Sequence, residues 1–151
     1  MKFGSRGEGW VILQFVLFGI LLYTTRFHIF DFPLWIQYIG VIFLAAGGFF
    51  GTGGVISLGR NLTPFPKPRE SGSLVTIGIY KYVRHPIYTG LISGTFGWSL
   101  IINNVLGVIV VAILFVFFDA KSRREEVWLV ERYPDYERYK QWVKKLIPWI
   151  Y

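Results

Sequence analysis

The chain has no cysteine in its 151 residues. That excludes disulfides, a thiolate nucleophile and any thiolate-ligated metal. Charge is the second scarcity. Asp, Glu, Lys and Arg make up 17% of the residues, against about 25% in soluble domains. Apolar residues make up 53%, so the polar surface is too small to cover the chain in water unless lipid covers part of it. A third absence is the glycine-rich dinucleotide fingerprint. No GxGxxG follows a strand and no βαβ pattern is present, which excludes a Rossmann-bound cofactor.

What the chain does have is aromatic and apolar. Six Trp, nine Tyr and fourteen Phe suit the interfaces of a bilayer. One domain is expected at this length. The first apolar segment covers residues 10–25 and carries Gln14 but no charge. With Lys2 and Arg6 before it, the stretch 1–22 resembles a weak signal peptide. No small-residue cleavage site follows Leu22 and more apolar segments come after, so it reads as a retained helix. Pro33 favours a fresh helix start, and residues 34–56 are 23 uncharged positions, the strongest span. Gly47 and Gly51 lie four apart on one face and permit close helix contact in lipid.

Residues 57–83 break this pattern with Pro64, Pro66 and Pro68 in alternation, then Gly72 and Gly78. The backbone there is extended and restricted. The run LGRNLTPFPKP at 58–68 reads either as an interfacial strap or as one wall of a pocket, with Arg60 and Asn61 as its polar contributors. From 87 to 118 no charge occurs, and Asn103 and Asn104 interrupt near the middle. A single helix of that length would measure about 48 Å, more than a bilayer core. Two legs joined at the paired asparagines fit better, either as two spans or as a re-entrant hairpin. Gly90, Gly94 and Gly97 give the first leg a thin face.

The expected fold is therefore an all-α integral membrane protein. It has about four transmembrane helices, a helical hairpin at Asn103–Asn104 and a C-terminal interfacial helix. Residues 1–56 act as two anchoring helices, and 57–151 carry the binding part of a single domain. With four spans, every one of the 16 Lys and Arg except Arg26 falls on one face. The positive-inside rule makes that face cytoplasmic, with both termini on it. The net charge of +7 then reflects attraction to anionic headgroups rather than a nucleic-acid partner. In the tail, Tyr133, Tyr136 and Tyr139 repeat every three residues. Trp142, Val143, Leu146 and Ile147 extend an apolar stripe towards Pro148. The tail reads as an interfacial helix and also as a lid.

Two polar clusters meet at that face. One is the turn GIYKYVRHPIYTG at 78–90, with Tyr80, Tyr82, Val83, Arg84, His85 and Tyr88. The other is Asp119, Arg123, Glu126 and Tyr133, which share one face at steps of four, three and seven if the helix continues. Charged groups entering a bundle near lipid are costly unless paired or used. His85 with Glu126 supplies either an acid/base pair or two metal ligands. With His28 expected on the far side, two ligands do not make a zinc site. Tyrosines beside a carboxylate suit a cation or a heterocycle.

The motif G-x-Y-x-Y-x-R-H-P-x-Y-x-G, followed by E-E-x-x-L at 125–129, Y-x-x-Y at 136–139 and Pro148, resembles the isoprenylcysteine carboxyl methyltransferase and phospholipid N-methyltransferase superfamily. The resemblance covers about 90 residues from Leu58. It implies an integral membrane enzyme that uses S-adenosylmethionine to methylate a lipophilic acceptor, either a carboxylate or an amine. It also implies that Tyr80, His85, Tyr88 and Glu126 contact the cofactor, and Val83, Arg84 and Tyr133 are expected to join them. Arg123, which shares a helical face with Glu126, is expected to orient an acidic acceptor, so Glu126 and Arg123 read as the catalytic pair. Tyr133-Pro134 departs from the family's usual Phe-Gly. A membrane NADPH-dependent sterol or isoprenoid reductase and a non-enzymatic scaffold are the competing classes.

Overall fold

The computed structural model describes residues 7–151. Lys2 and Arg6, two of the charges used in the orientation argument, lie outside them. The described chain is all-helical, with α1 (Glu8–Thr24), α2 (Leu34–Leu58), α3 (Pro86–Ile101), α4 (Val105–Arg132) and α5 (Tyr136–Trp142). Short 3-10 turns at Gly59–Asn61 and Gly78–Lys81 are the only helical structure between α2 and α3.

Local chemistry sets these boundaries. Pro33 immediately precedes α2. Pro86 takes the first position of α3, where a missing N–H costs nothing. Asn104 caps α4, its side chain accepting from Gly107 N at 2.9 Å. Asn103 turns the chain at φ 57°, a left-handed conformation that asparagine tolerates. Two residues further back, α3 ends. The two legs of the hairpin are unequal. The first is 16 residues long, about 24 Å. The second runs 28 residues, well past its apolar part, because residues 120–132 hold no helix breaker.

Helices α2 and α3 pack antiparallel, backbone to backbone. A Cβ built on Gly90 would stand 2.5 Å from Gly51 N, and one on Gly40 would stand 2.8 Å from Gly97 O. The glycine faces of the two helices thus meet each other, as close packing in lipid requires. Helix α1 lies along α4, with Trp10 against Phe117 and Phe18 against Phe118. Leu21, Val110, Val111, Leu114, Phe117 and Phe118 form the buried core there.

The outer surface is apolar. Phe15, Leu22, Ile42 and Ile56 each expose 66–78% of their area, an extent of apolar patch that water does not tolerate. Among the described residues, two helices, α2 and α4, are long and apolar enough to cross a membrane.

The tail departs from the expected interfacial helix. Helix α5 has seven residues and stops at Trp142, after which the chain is extended at Val143. Leu146 is buried while Trp142 is 81% exposed, so they do not form one stripe. The cause is a competing set of partners: Lys144 forms a parallel bridge with Val83, and Arg84 takes the carbonyls that would continue the helix.

Gly90→Val should lower the thermal midpoint in detergent sharply, because overpacking a closed contact costs about 1–3 kcal/mol or more. Gly48→Val, where no atom lies within 4 Å of a built Cβ, should leave the midpoint near that of the parent chain. Equal midpoints for the two variants would contradict the glycine contact.

Candidate functional site

The start of α1, the end of α2, the start of α3 and the polar end of α4 all converge at one end of the bundle, together with the tail. His85 occupies the position before α3, where a polar side chain would ordinarily cap the helix, yet it makes no capping bond. Its imidazole turns instead to α4. Nε2 lies 3.1 Å from Glu126 Oε1, and Nδ1 faces Glu125 Oε2 at 3.8 Å. The ring stacks on Tyr88, 5.4 Å between centroids at 2°, and Tyr88 stacks in turn on Phe118 at 4.8 Å. Tyr88 donates to Glu125 Oε2 at 2.8 Å. The imidazole is thus held by a hydrogen bond at Nε2 and by stacking on one face.

Arg84 joins this group to the tail. Its Nε donates to Glu126 Oε1 at 2.8 Å. Its Nη1 donates to Lys140 O at 3.3 Å and to Val143 O. Backbone bonds run alongside, from Arg84 N to Lys144 O at 2.8 Å and from His85 N to Lys145 O at 3.1 Å. Thr89 Oγ1 donates to Leu146 O at 2.7 Å, and Tyr139 Oη donates to Tyr80 O at 2.5 Å. The tail is therefore tied across the histidine turn rather than lying loosely over it.

Two cavities meet beneath it. The first lies among the strap, the histidine turn, the end of α4 and α5, with Asn61, Arg69, Tyr133, Tyr136 and Tyr139 on its walls. The second lies towards α1, with Gln14, Thr63, Tyr88 and Lys121 as its polar walls and Ile87 and Leu91 as apolar ones. Tyr80, His85 and Glu125 line both. Of the two readings of residues 58–68, the structure gives the pocket wall. Asn61 faces the cavity and holds the loop through Ser73 N at 3.1 Å, while Arg60 is exposed and lends its carbonyl to Arg69. The Tyr136 hydroxyl is buried with no hydrogen-bond partner among the described residues, and the Tyr136 side chain forms part of the wall of the first cavity.

The sequence-derived residues divide accordingly. Tyr80, Arg84, His85 and Tyr133 line the first cavity, and Tyr88 lines the second. Val83 is fully buried beneath the tail. Glu126 lines neither cavity, because Arg84 and His85 occupy its carboxylate. Arg123 is exposed and donates to Asp119 Oδ2 at 2.8 Å. Asp119 also accepts from Lys145 and Tyr151, so this cluster clasps the end of the tail. Tyr133 does not continue the face of Asp119, Arg123 and Glu126. Helix α4 ends before it, and its hydroxyl reaches Gly72 O at 2.9 Å. Sequence reasoning passed over Glu125, Lys121 and Gln14 as site residues. The spacing of Lys121 and Glu125, four apart on one helix, is the signal that marks two of them.

Burial, with the neighbouring Glu125 carboxylate next for Tyr80 and the Glu126 carboxylate next for Tyr136, pushes both hydroxyls well above the ordinary tyrosine value. Burial does the same for Tyr139 against the partial opposition of Arg84. All three stay protonated donors through the neutral range.

The fold is shared with a solved structure of a eukaryotic intramembrane Ras methyltransferase, isoprenylcysteine carboxyl methyltransferase. The TM-score is 0.68 at 23% identity, covering 99% of this chain and 55% of that one. Residues 35–136 match the family model described as phospholipid methyltransferase, and the chain belongs to that family. Among its relatives is a protein-S-isoprenylcysteine O-methyltransferase of Schizosaccharomyces pombe. It is 31% identical over 112 residues, 72% of this chain and 48% of the relative. Protein-S-isoprenylcysteine O-methyltransferase B of Arabidopsis thaliana is 29% identical over 120 residues, 77% of this chain and 61% of the relative. The chain thus spans about half to three-fifths of the length of these relatives. The resemblance drawn from the histidine turn and the EExxL run is borne out by the family match.

Two outcomes test this geometry. Arg84→Gln should release the tail and speed tryptic cleavage at Lys144 and Lys145 by about tenfold or more, since charge-assisted hydrogen bonds contribute about 1.5–3 kcal/mol. Unchanged cleavage would contradict the tether. The raised hydroxyl groups of Tyr80, Tyr136 and Tyr139 favour the fold below the unfolded value near pH 10. That contribution is lost as the pH climbs above it. The thermal midpoint should therefore hold between pH 7 and 9 and fall above about pH 10.

Proposed function

We propose that this chain transfers a methyl group from S-adenosylmethionine to a lipophilic acceptor at a membrane face. The observation that carries the reading is the pair of cavities sharing Tyr80, His85 and Glu125 as a common wall. A two-substrate transfer needs donor and acceptor in adjoining spaces that water does not fill. The family match and the printed activities of the isoprenylcysteine relatives support it.

The first cavity fits such a cofactor. Its tyrosine walls suit a flat heterocycle and a cationic centre. The unpaired Tyr136 hydroxyl offers a donor, Asn61 and Arg69 add polar contacts from the strap, and Glu125 places a carboxylate at the boundary. S-adenosylmethionine, when bound, supplies an electrophilic methyl group on a sulfonium. His85 is held by Glu126 and Tyr88 so that it forms a rigid partition between the two spaces. Arg84 and Glu126 hold the tail closed and exclude water. Arg123, bound to Asp119, acts in the clasp of the tail rather than on the acceptor.

The same proposal places α1 to α4 as four membrane crossings, with both termini and the site on the cytoplasmic side. It takes residues 57–151 as the cofactor-binding part of one domain. The lipid-facing groove between α2 and α3 shares Ile87 and Leu91 with the second cavity, which gives the acceptor a sideways route from the bilayer.

Protein in lipid nanodiscs should bind S-adenosylmethionine and transfer a labelled methyl group to an organic-extractable product. Tyr136→Phe should weaken cofactor binding about 3–10-fold, the worth of one hydrogen bond, with the thermal midpoint unchanged. His85→Ala should reduce transfer about 10²-fold through misplacement. Binding of a reduced nicotinamide in place of S-adenosylmethionine would overturn the reading.

A further inference from the structure

On the other side of the α2–α3 contact lies an apolar pocket of about 440 Å³ that shares no residue with the two cavities or the groove. Ile92 and Phe96 of α3 form its floor, and Phe43 and Phe50 of α2 and Val111 and Phe115 of α4 form its walls. Two hydroxyls reach it and both are satisfied. Thr89 Oγ1 donates to Leu146 O at 2.7 Å and Ser93 Oγ to Phe43 O at 2.8 Å, so an occupant finds no free polar partner inside. Residues 146–148 of the tail form the roof. Lys144 and Lys145, just before them, accept through their carbonyls from the backbone of the histidine turn. One short segment thus ties down over that turn and roofs this pocket. Beyond Phe115 the surface becomes polar. Its ring meets that of Tyr151 at 6.4 Å, and Asp119, one turn on along α4, accepts from Tyr151, Lys145 and Arg123. The side chains of this cluster set two cations against one carboxylate. Arg123 is the outward one, 67% exposed, while Lys145 is buried. Tyr151 O is engaged by Leu146 N and Ile147 N. Trp149 and Ile150, beside the roof, are exposed, as side chains at a headgroup boundary are.

We propose that this pocket holds one acyl chain of an anionic phospholipid from the surrounding bilayer, with the phosphodiester against Arg123, and that the bound chain props the tail closed. Lipid tails are as apolar as these walls, so the chain alone gives no preference over the bulk bilayer. The excess positive charge at the rim supplies it, worth about fivefold for one basic side chain at a membrane surface. A second copy of this chain is the poorer fit. The pocket is recessed between α2 and α4, and its walls run only about 10 Å along the helices, room for a narrow chain rather than for a helix face. The coupling follows from position. A chain beneath residues 146–148 packs against them only while the tail lies across the histidine turn, so the lipid favours the closed arrangement by binding it more tightly. Neither this site nor its test depends on the methyl-transfer reading.

The test is native mass spectrometry of protein released from nanodiscs made of equal parts dioleoyl phosphatidylglycerol and dioleoyl phosphatidylcholine. The parent chain should retain the phosphatidylglycerol about fivefold over the phosphatidylcholine. Arg123→Gln should bring that ratio near one. Ala112→Phe fills the pocket from an exposed position on α4, and should remove most of the retained lipid with the thermal midpoint unchanged. A second readout follows the tail. In delipidated detergent solution, added phosphatidylglycerol should slow tryptic cleavage at Lys144 and Lys145 severalfold in the parent chain. In Ala112→Phe the rate should not respond to the lipid, whatever its starting value. Equal retention of the two lipids by the parent chain, or retention that Ala112→Phe does not reduce, would overturn the site. A dimer that Ala112→Phe dissociates would overturn it too, in favour of a second copy as the occupant. Retained lipid with no effect on cleavage would overturn the propping of the tail.

Discussion

The Glu126 carboxylate holds this end of the molecule together. It accepts from Arg84 and contacts His85, and Arg84 in turn holds the carbonyls of the tail. One buried anion therefore links α4, the entry to α3 and the C-terminal segment. Such a pair is tolerable only because every partner is satisfied. A carboxylate and guanidinium each about 90% buried would destabilise the site if either stood alone. The result is an imidazole hydrogen-bonded to Glu126 and stacked on Tyr88, placed where two cavities touch. Glu126 contributes architecture, and its neighbour Glu125 faces the space where ligands would sit.

The second constraint is the absence of side chains between α2 and α3. Where glycine meets glycine, the backbones approach until no larger residue fits. That contact sets the spacing of the two helices and hence the width of the groove that opens from the second cavity. Packing and access are therefore properties of the same few residues. The apolar outer surfaces of α1 and α2 leave lipid as the solvent for this assembly.

Much of this was legible in the residues. Long uncharged runs and the glycine spacings gave the helices and their contact faces. The paired asparagines gave the hairpin, and the histidine turn with the EExxL run gave both the family and the meeting of His85 with Glu126. The tail was misread because helical periodicity weighs only local residues. The partners that end α5 after Trp142 come from Val83 and Arg84, about 60 positions earlier. Tyr133 was placed on the face of α4 for the same reason, since Gly72, which draws its hydroxyl away, is invisible to a helical wheel. Glu125 and Lys121 escaped notice because a motif marks which residues recur, not which side of the helix they turn inward. Gln14 looked like a stray polar group in an apolar helix until its partner across the bundle was known.

The opposite end of the bundle is stitched shut. Asn104 reaches Thr24 Oγ1 at 2.9 Å while capping its own helix. Asn103 accepts from Phe32 N and donates to Asp31. The end of α1, the approach to α2 and the α3–α4 corner are thereby joined at a single point. These bonds fix the ends of the four helices relative to one another at the pole far from the two cavities.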